Sequence, residues 1–465
     1  MESSSAGKQL PSLERSITLP GAVALVVGGV VGAGIFVLVE KIAAQAGAAI
    51  WLSFVTAIAV SLVGVLPLIQ LAGALPRAGA GYLFASRLLS PFWGVMTSFW
   101  VVLGGASSTA VVSLTLGVYV QGYLGAAAPV SVIAAGILLL FYVVYLFGVR
   151  LAISLQLLMA VQFVSALLLY GVFGLFQADW SADAAVRPAL LPPHGATPFL
   201  MSVLLAYSTC MGFQVVGELG EEIRNARRTI PLALCIGGAL VASLYILVGT
   251  VYVALPAPDP IEAARRPLSD SAALFLPPAA VRFIDFGALT AGLTSLNAAA
   301  IALPRELFAQ ARDGMLPAPL ARISARTHAP QHAVTVYFLF VAVLLLSGLG
   351  VNFFGCAAAI GILAITSALG LAAMRLPARY PAYYARAYIT FPRPLLAACA
   401  VATVLFSMGF AVVVAIEEPG VLALYAAWTV LAAACYRSHV SGFTARDWDR
   451  LRAIPGSDEQ DPPAG

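Results

Sequence analysis

Charge is scarce in this chain. Only 10% of its 465 residues are Asp, Glu, Lys or Arg, against about 25% in a typical soluble domain, while 61% are hydrophobic. A water-soluble globular domain is thereby excluded, and the chain reads as a polytopic membrane protein. Histidine is equally sparse. His194, His328, His332 and His439 all fall in loops or the tail, so none is expected at membrane depth. With no paired carboxylates read there either, the interior lacks a nucleophile with a base and a metal constellation, which argues against a membrane-embedded enzyme. The five cysteines, Cys210, Cys235, Cys356, Cys399 and Cys435, sit in apolar stretches without metal-ligand spacing and read as buried thiols. No metal and no cofactor is expected. A phosphate-cradling GxxxxGK[ST] loop is missing, as is any polar segment long enough for a nucleotide-binding domain, which excludes a pump driven by its own ATP hydrolysis. The net charge of +4 carries no reading of nucleic-acid binding in such a chain. Met1–Ser16 is polar and is expected to be flexible. It lacks the basic region and short apolar core of a signal peptide.

What the chain has in abundance is long apolar runs. About twelve are near spanning length, at 19–39, 46–74, 92–121, 129–148, 153–177, 197–217, 231–255, 283–309, 333–351, 353–373, 395–416 and 419–437. An even count puts both termini on one side. Of the 25 Lys and Arg residues, the outer segments then take only Lys41, Arg187, Arg265, Arg266 and Arg282. This positive-inside asymmetry predicts cytoplasmic termini and a multi-pass protein of the cell membrane. The tail from Arg437 to Gly465 is polar and reads as disordered.

Two spans are interrupted. The first contains Gly29, Gly32 and Gly34 within Val30-Val31-Gly32-Ala33-Gly34-Ile35-Phe36. Glycine allows a helix to unwind and free backbone groups, which in hydrocarbon must be buried or face a polar ligand. Close helix packing explains the same residues. The sixth span, Ala206-Tyr207-Ser208-Thr209-Cys210-Met211-Gly212-Phe213-Gln214, again mixes glycine with polar residues. It opens a second group of five helices as the first span opens the first group. Interrupted helices at matching positions of two halves point to a transporter site. Unwinding exposes amides that suit a carboxylate and carbonyls that suit an ammonium group. An amino acid carries both.

Four stretches resemble the amino acid–polyamine–organocation superfamily of secondary transporters. Gly29 to Phe36 is similar to its G-x-G-I-F signature. Leu75-Pro76-Arg77-Ala78-Gly79-Ala80-Gly81-Tyr82 is similar to its P-x-A-G-G-x-Y turn, with Ala80 in place of a glycine. Glu221 to Pro231 resembles E-E-x-x-N-P-x-R-x-I-P, with Ala226 in place of the proline. Ser295-Leu296-Asn297 followed by Ala311 to Pro317 resembles A-R-D-G-x-L-P after the eighth helix. The resemblance covers about Leu19 to Tyr436. It implies an all-α fold of two inverted five-helix repeats with discontinuous helices one and six, plus two further helices. The implied division is a cytoplasmic tail over 1–18, repeats over 19–177 and 197–373, an extracellular loop over 178–196, helices eleven and twelve within 395–437, and a tail over 438–465. It also implies a mid-membrane substrate site and transport by alternating access, as a symporter or an exchanger.

Carried over by position, the substrate carboxylate would meet amides near Gly32, Ala33 and Gly34. Its amino group would meet carbonyls near Val30, Tyr207 and Ser208. Ile35, Met211, Gly212, Gln214 and Ala299 complete the expected site, with Gly104–Ser108 and Cys356–Ile360 contributing side-chain specificity. Gln162 stands about where proton-coupled members carry a Lys, and Gln214 where some keep an acid. Glu218, Glu221 and Glu222 read either as a solvated ion-pair cluster with Arg224, Arg227 and Arg228 or as an inner gate, with Glu218 also a proton carrier. Thr294 and Ser295 read as helix–helix hydrogen bonding or as sodium ligands. Tyr207 is either a lid or a packed aromatic. Arg305 and Glu306 are expected to snorkel. No charged side chain is read in the pocket, and burying an unpaired charge is costly, so a neutral amino acid is the expected substrate. A cationic amino acid or polyamine carrier, or a non-transporting sensor, is the alternative. The co-transported ion, a proton or sodium, stays open, as does the oligomeric state.

Overall fold

The computed structural model describes residues 13–32, 34–124, 128–178, 195–255 and 266–452. Helices account for nearly all of this, and the only β-contacts among the described residues are the isolated bridges Ile17–Ile223 and Ala78–Leu219. In chain order the helices are α1 (Leu19–Val31), α2 (Gly34–Ala46), α3 (Ile50–Ala74), α4 (Ala80–Phe84), α5 (Pro91–Leu124) and α6 (Val130–Leu146). Next come α7 (Val149–Gln177), α8 (Ala196–Thr209), α9 (Ala226–Ala254), α10 (Pro267–Ala272), α11 (Pro278–Ala302) and α12 (Pro304–Arg312). The last are α13 (Gln331–Leu346), α14 (Val351–Arg379), α15 (Pro381–Ala385), α16 (Arg393–Glu417), α17 (Pro419–Val440) and α18 (Ala445–Arg452).

Nine helical segments among the described residues are long and apolar enough to cross a membrane, and α1, α6 and α13 are shorter apolar helices. Their outward faces carry Leu139, Leu158, Phe176, Leu346 and Ile416, each more than half exposed. A helix apolar on its outer as well as its inner face is what lipid requires. The protein is therefore an all-α, polytopic membrane protein.

Backbone chemistry sets the boundaries. Pro20, Pro278, Pro394 and Pro419 occupy the first or second positions of α1, α11, α16 and α17, where the missing N–H of proline costs nothing. The first two spans are nearly continuous, because α2 runs to Ala46 and only a 3-10 turn, Gly47–Ala49, precedes α3. At the centre, α1 packs against α7, α9 and α11, while α14 lies along α5, α3 and α16.

Both chain ends differ from expectation where they are described. Within the stretch expected to be flexible, Leu13 is buried with Ala78, Phe308 and Ala333, and just after it the Ile17 amide donates to the Glu222 carbonyl at 3.0 Å, so the segment entering α1 is docked. The tail is helical as far as Arg452, with Leu451 buried against Tyr82, Met96 and Met315. Two large apolar side chains, Trp448 and Leu451, in a charged helix are a weak sequence signal, and only their packing shows that the helix docks. Residues 1–12, most of the expected extracellular loop at 178–196, and 453–465 lie outside the described residues.

Candidate functional site

The two interruptions meet. Helix α1 ends at Val31, Gly32 has φ +46°, and α2 starts at Gly34; Ala33 lies outside the described residues. Helix α8 ends at Thr209, and a 3-10 segment, Phe213–Glu218, follows Gly212 at φ +122°. A Cβ on Gly212 would stand 2.7 Å from the Gly29 carbonyl carbon and 3.2 Å from the Val30 nitrogen. Only glycine fits there, since the φ is unfavourable for other residues and the opposing backbone leaves no room. The start of α2 rests on the end of α8: a Cβ on Gly34 would touch Thr209 Cγ2 at 3.1 Å.

Side chains from intact helices satisfy the freed carbonyls. The buried Tyr245 hydroxyl of α9 donates to the Thr209 carbonyl at 2.9 Å and reaches the Val31 carbonyl at 3.3 Å, tying the ends of α8 and α1 together. From α11, Ser295 and Thr294 donate to the Gly28 carbonyl at 2.9 and 3.3 Å. These two hydroxyls thus make the helix–helix bonds that were one of their two readings. Deeper, Gln156 of α7 donates to the Ala24 carbonyl at 3.2 Å and accepts from Asn297 of α11 at 2.8 Å.

A cavity of about 790 Å³ opens beside this junction. Of the expected site residues, Tyr207, Ser208, Met211, Gly212, Gln214 and Ala299 line it, joined by Gly29, Ser295 and Glu218. Gly105, Ser108, Cys356, Ala358 and Ala359 come from the two further stretches expected to contribute. Val30, Gly32, Gly34, Ile35 and Thr294 do not line it, because the break in α1 is packed against Tyr245, Ser295 and Thr209. Gln214 donates to Thr366 of α14 at 3.2 Å. Tyr207 stands edge-on to Phe406 of α16 at 5.1 Å between centroids, so it both packs and faces the cavity.

Several expectations need correction. The cavity does contain acidic side chains: Glu417 and Glu418 at one end and Glu218 at the other. Glu218 was expected as a proton carrier but not as part of the pocket lining, and Glu417 and Glu418 were missed because the end of α16 was not expected to reach it. Gln162 lies away from the cavity, donating to the Phe283 carbonyl at 3.1 Å and bonded to Thr290; the α7 amide that reaches α1 is Gln156, six residues earlier. A lone Gln in an apolar run is visible in sequence, but its facing is not. Arg305 and Glu306 do not snorkel; both are fully buried. Cys235 is exposed rather than buried.

The Glu218 end is closed by carboxylates meeting the start of α4. Gly79, at φ +72°, turns the chain so that the α4 amides point inward. Ala80 donates to Glu218 at 2.8 Å, Gly81 to Glu306 at 2.8 Å, and Tyr82 to Glu306 at 3.0 Å. Around them, Arg305 makes a bidentate pair with Glu222 at 2.8 and 3.0 Å, both buried. Arg312 holds Glu221 at 2.8 Å, and Arg87 holds Asp313 at 2.8 Å. Glu221 and Glu222 thus pair with arginines of α12, and Glu218 and Glu222 are buried rather than part of a solvated cluster. The interior also holds two buried carboxyls, Glu218 and Glu306, within reach of one amide, that of Gly81, where no paired carboxylates were expected.

Broken membrane helices meeting at a cavity define a membrane transporter rather than a receptor for a large ligand or a soluble enzyme. The chain belongs to the amino acid permease family, whose profile matches residues 17–435, and is an amino acid transporter of the amino acid–polyamine–organocation superfamily. It is 29% identical over 332 residues to an uncharacterized transporter of Mycobacterium tuberculosis, covering 71% of this chain and 74% of that protein. It is 30% identical over 366 residues to cationic amino acid transporter 4 of Mus musculus, covering 72% of this chain and 55% of the mouse protein. A vacuolar cationic amino acid transporter 2 of Arabidopsis thaliana is 28% identical over 362 residues, 71% of this chain and 55% of that protein.

Proposed function

We propose that this protein carries neutral amino acids across the cell membrane by alternating access, as a symporter or exchanger, with both termini cytoplasmic. The observation that carries the reading is the contact of Gly29 with Gly212 at the wall of the cavity. The lining beside that contact, Ser108, Tyr207, Ser208, Met211, Gln214, Ser295 and Ala299, has no charged side chain. A zwitterion seated there takes its charge partners from backbone: carbonyls near Tyr207 and Ser208, which line the cavity, for the amino group, and, once the packed α1 break turns toward the cavity, amides near Gly32, Ala33 and Gly34 for the carboxylate. The end lined by Val351, Glu417 and Glu418 is the extracellular mouth, and the Glu218 end is the closed cytoplasmic floor. Glu221 with Arg312, and Glu222 with Arg305, are the inner gate.

A second reading is a cationic substrate. It draws on the three glutamates in the cavity lining and on the names of the mouse and Arabidopsis relatives. The test is uptake into proteoliposomes of radiolabelled alanine, leucine, lysine and glutamate. Saturable alanine or leucine uptake supports the proposal, and uptake of lysine alone replaces it with the cationic reading. Saturable binding without flux for all four overturns transport itself and leaves a sensor.

A further inference from the structure

The charged groups of the cavity floor sort into two kinds. Glu221, Glu222 and Asp313 each have an arginine, and those arginines are thereby engaged. Arg77, in the connection before α4, faces Glu221. Among the described residues, Glu218 and Glu306 have no such partner. Their relative exposures are 2% and 0%, and both carboxyls meet the amides at the start of α4. The Gly81 amide sits between them, 3.4 Å from Glu218 Oε1 and 2.8 Å from Glu306 Oε1. A Cβ at Gly81 would lie 2.7 Å from Glu306 Oε1, so glycine permits the approach.

Two buried carboxylates that share one amide repel when both are ionised, and a single proton held between them removes that repulsion. Among the described residues, backbone amides donate to both carboxyls, and no cation stands beside them as one does beside Glu221, Glu222 and Asp313. The polar line continues beyond the pair. Gln310, one turn after Glu306 on α12, donates through Nε2 to the Ser98 hydroxyl at 2.7 Å. Gln310 Oε1 is buried with no hydrogen-bond partner among the described residues, so the line ends on an acceptor still able to take a proton donor. Glu218, at the other end, lines the substrate cavity.

We propose that Glu218 and Glu306 hold a single proton between them, and that this proton is the ion coupled to amino-acid movement. The inference rests on the transporter reading above and names its coupling site. Glu218 belongs to the 3-10 leg of the broken sixth helix, and Glu306 to α12, which continues the eighth. With the proton bound, both carboxyls share the α4 amides and the floor stays closed. When the proton leaves, the pair carries two negative charges, and their repulsion pushes the two elements apart. Proton occupancy is thereby linked to opening of the floor.

The full-length protein is reconstituted at zero membrane potential with pyranine in the lumen and radiolabelled alanine, leucine and lysine outside. One proton per substrate predicts about tenfold accumulation per pH unit of inward gradient, with acidification of the lumen as substrate enters. Glu306→Gln, which leaves at most one charge in the pair and so no repulsion to open the floor, should abolish gradient-driven accumulation and slow exchange of the same amino acid at equal pH. Accumulation of a transported amino acid that ignores the proton gradient in the wild type overturns the proposal and leaves the permease reading standing. Tenfold accumulation by Glu306→Gln moves the proton elsewhere and also overturns it. Absence of all transport in folded wild-type protein is instead the failure of the permease reading, and the proposal falls with it. Labelling of the wild type with a hydrophobic carbodiimide decides the matter independently of any variant. An adduct on Glu218 or Glu306 that fades as pH rises supports the proton, and labelling of neither overturns it.

Discussion

The Tyr245 hydroxyl donates to the Thr209 carbonyl at 2.9 Å, and this bond joins an unbroken helix to the point where another stops. The same hydroxyl reaches the Val31 carbonyl at the end of α1. One side chain thus answers for both interruptions. A carbonyl released from a membrane helix has no water to turn to, so the break persists only where a neighbour supplies a donor. Tyr245→Phe removes that donor and leaves both carbonyls buried. The expected cost is about 1–3 kcal/mol, read as a lower unfolding midpoint in detergent, with loss of uptake exceeding loss of folded protein. An unchanged midpoint together with wild-type uptake would contradict this role.

Gly212 supports a sharper prediction. Its φ of +122° and the Gly29 backbone opposite it penalise any side chain twice. Gly212→Ala should still insert, since the bundle is formed elsewhere, but uptake should fall by more than about tenfold for a strain of about 1–3 kcal/mol placed at the site. Uptake at the wild-type rate would show that the two breaks are not required to touch.

The ion pairs of the floor should differ in weight. Glu222→Gln leaves Arg305 buried without a carboxylate, at an expected cost of about 3–5 kcal/mol. Glu221→Gln disturbs a pair that keeps 17% and 24% side-chain exposure and should cost about 0–1 kcal/mol. Thermal unfolding of the two variants side by side checks the order. Equal midpoints would mean that Arg305 finds another partner.

Ala299 tests the cavity as the place where substrate side chains sit. Ala299→Trp fills space in the lining and should raise KM for leucine far more than for alanine. An equal effect on both would place the side-chain pocket elsewhere.

Much of this was legible in the residues themselves. The apolar runs, the glycines of the two breaks and four short motifs suffice for an all-α membrane fold, its approximate spans and the family. Tyr207, Ser208, Met211, Gly212, Gln214 and Ala299, all named from sequence, line the cavity. Tyr245 was not legible, because a tyrosine in an apolar helix looks the same whether it caps a neighbour or packs. Gln156 and Gln162 differ by six residues on one helix, and periodicity on a helix without a polar stripe does not say which faces α1. Glu306 was read as a snorkelling residue because it stands with Arg305 at the end of the eighth span. Its true neighbours are Gly81, Tyr82, Ser98 and Glu218, drawn from three other segments.

The sequence by itself determined where the helices run and where two of them must break, because hydrocarbon penalises charge and unpaired backbone locally, residue by residue. Only the tertiary structure decided what meets at the breaks and what closes the floor. The motifs around Gly79, Glu221 and Asp313 are far apart in the chain, yet they form one assembly around Glu218 and Glu306. Which carboxylate finds an arginine and which finds another carboxylate depends on distances of a few ångströms between segments, and such distances exist only once the helices have packed.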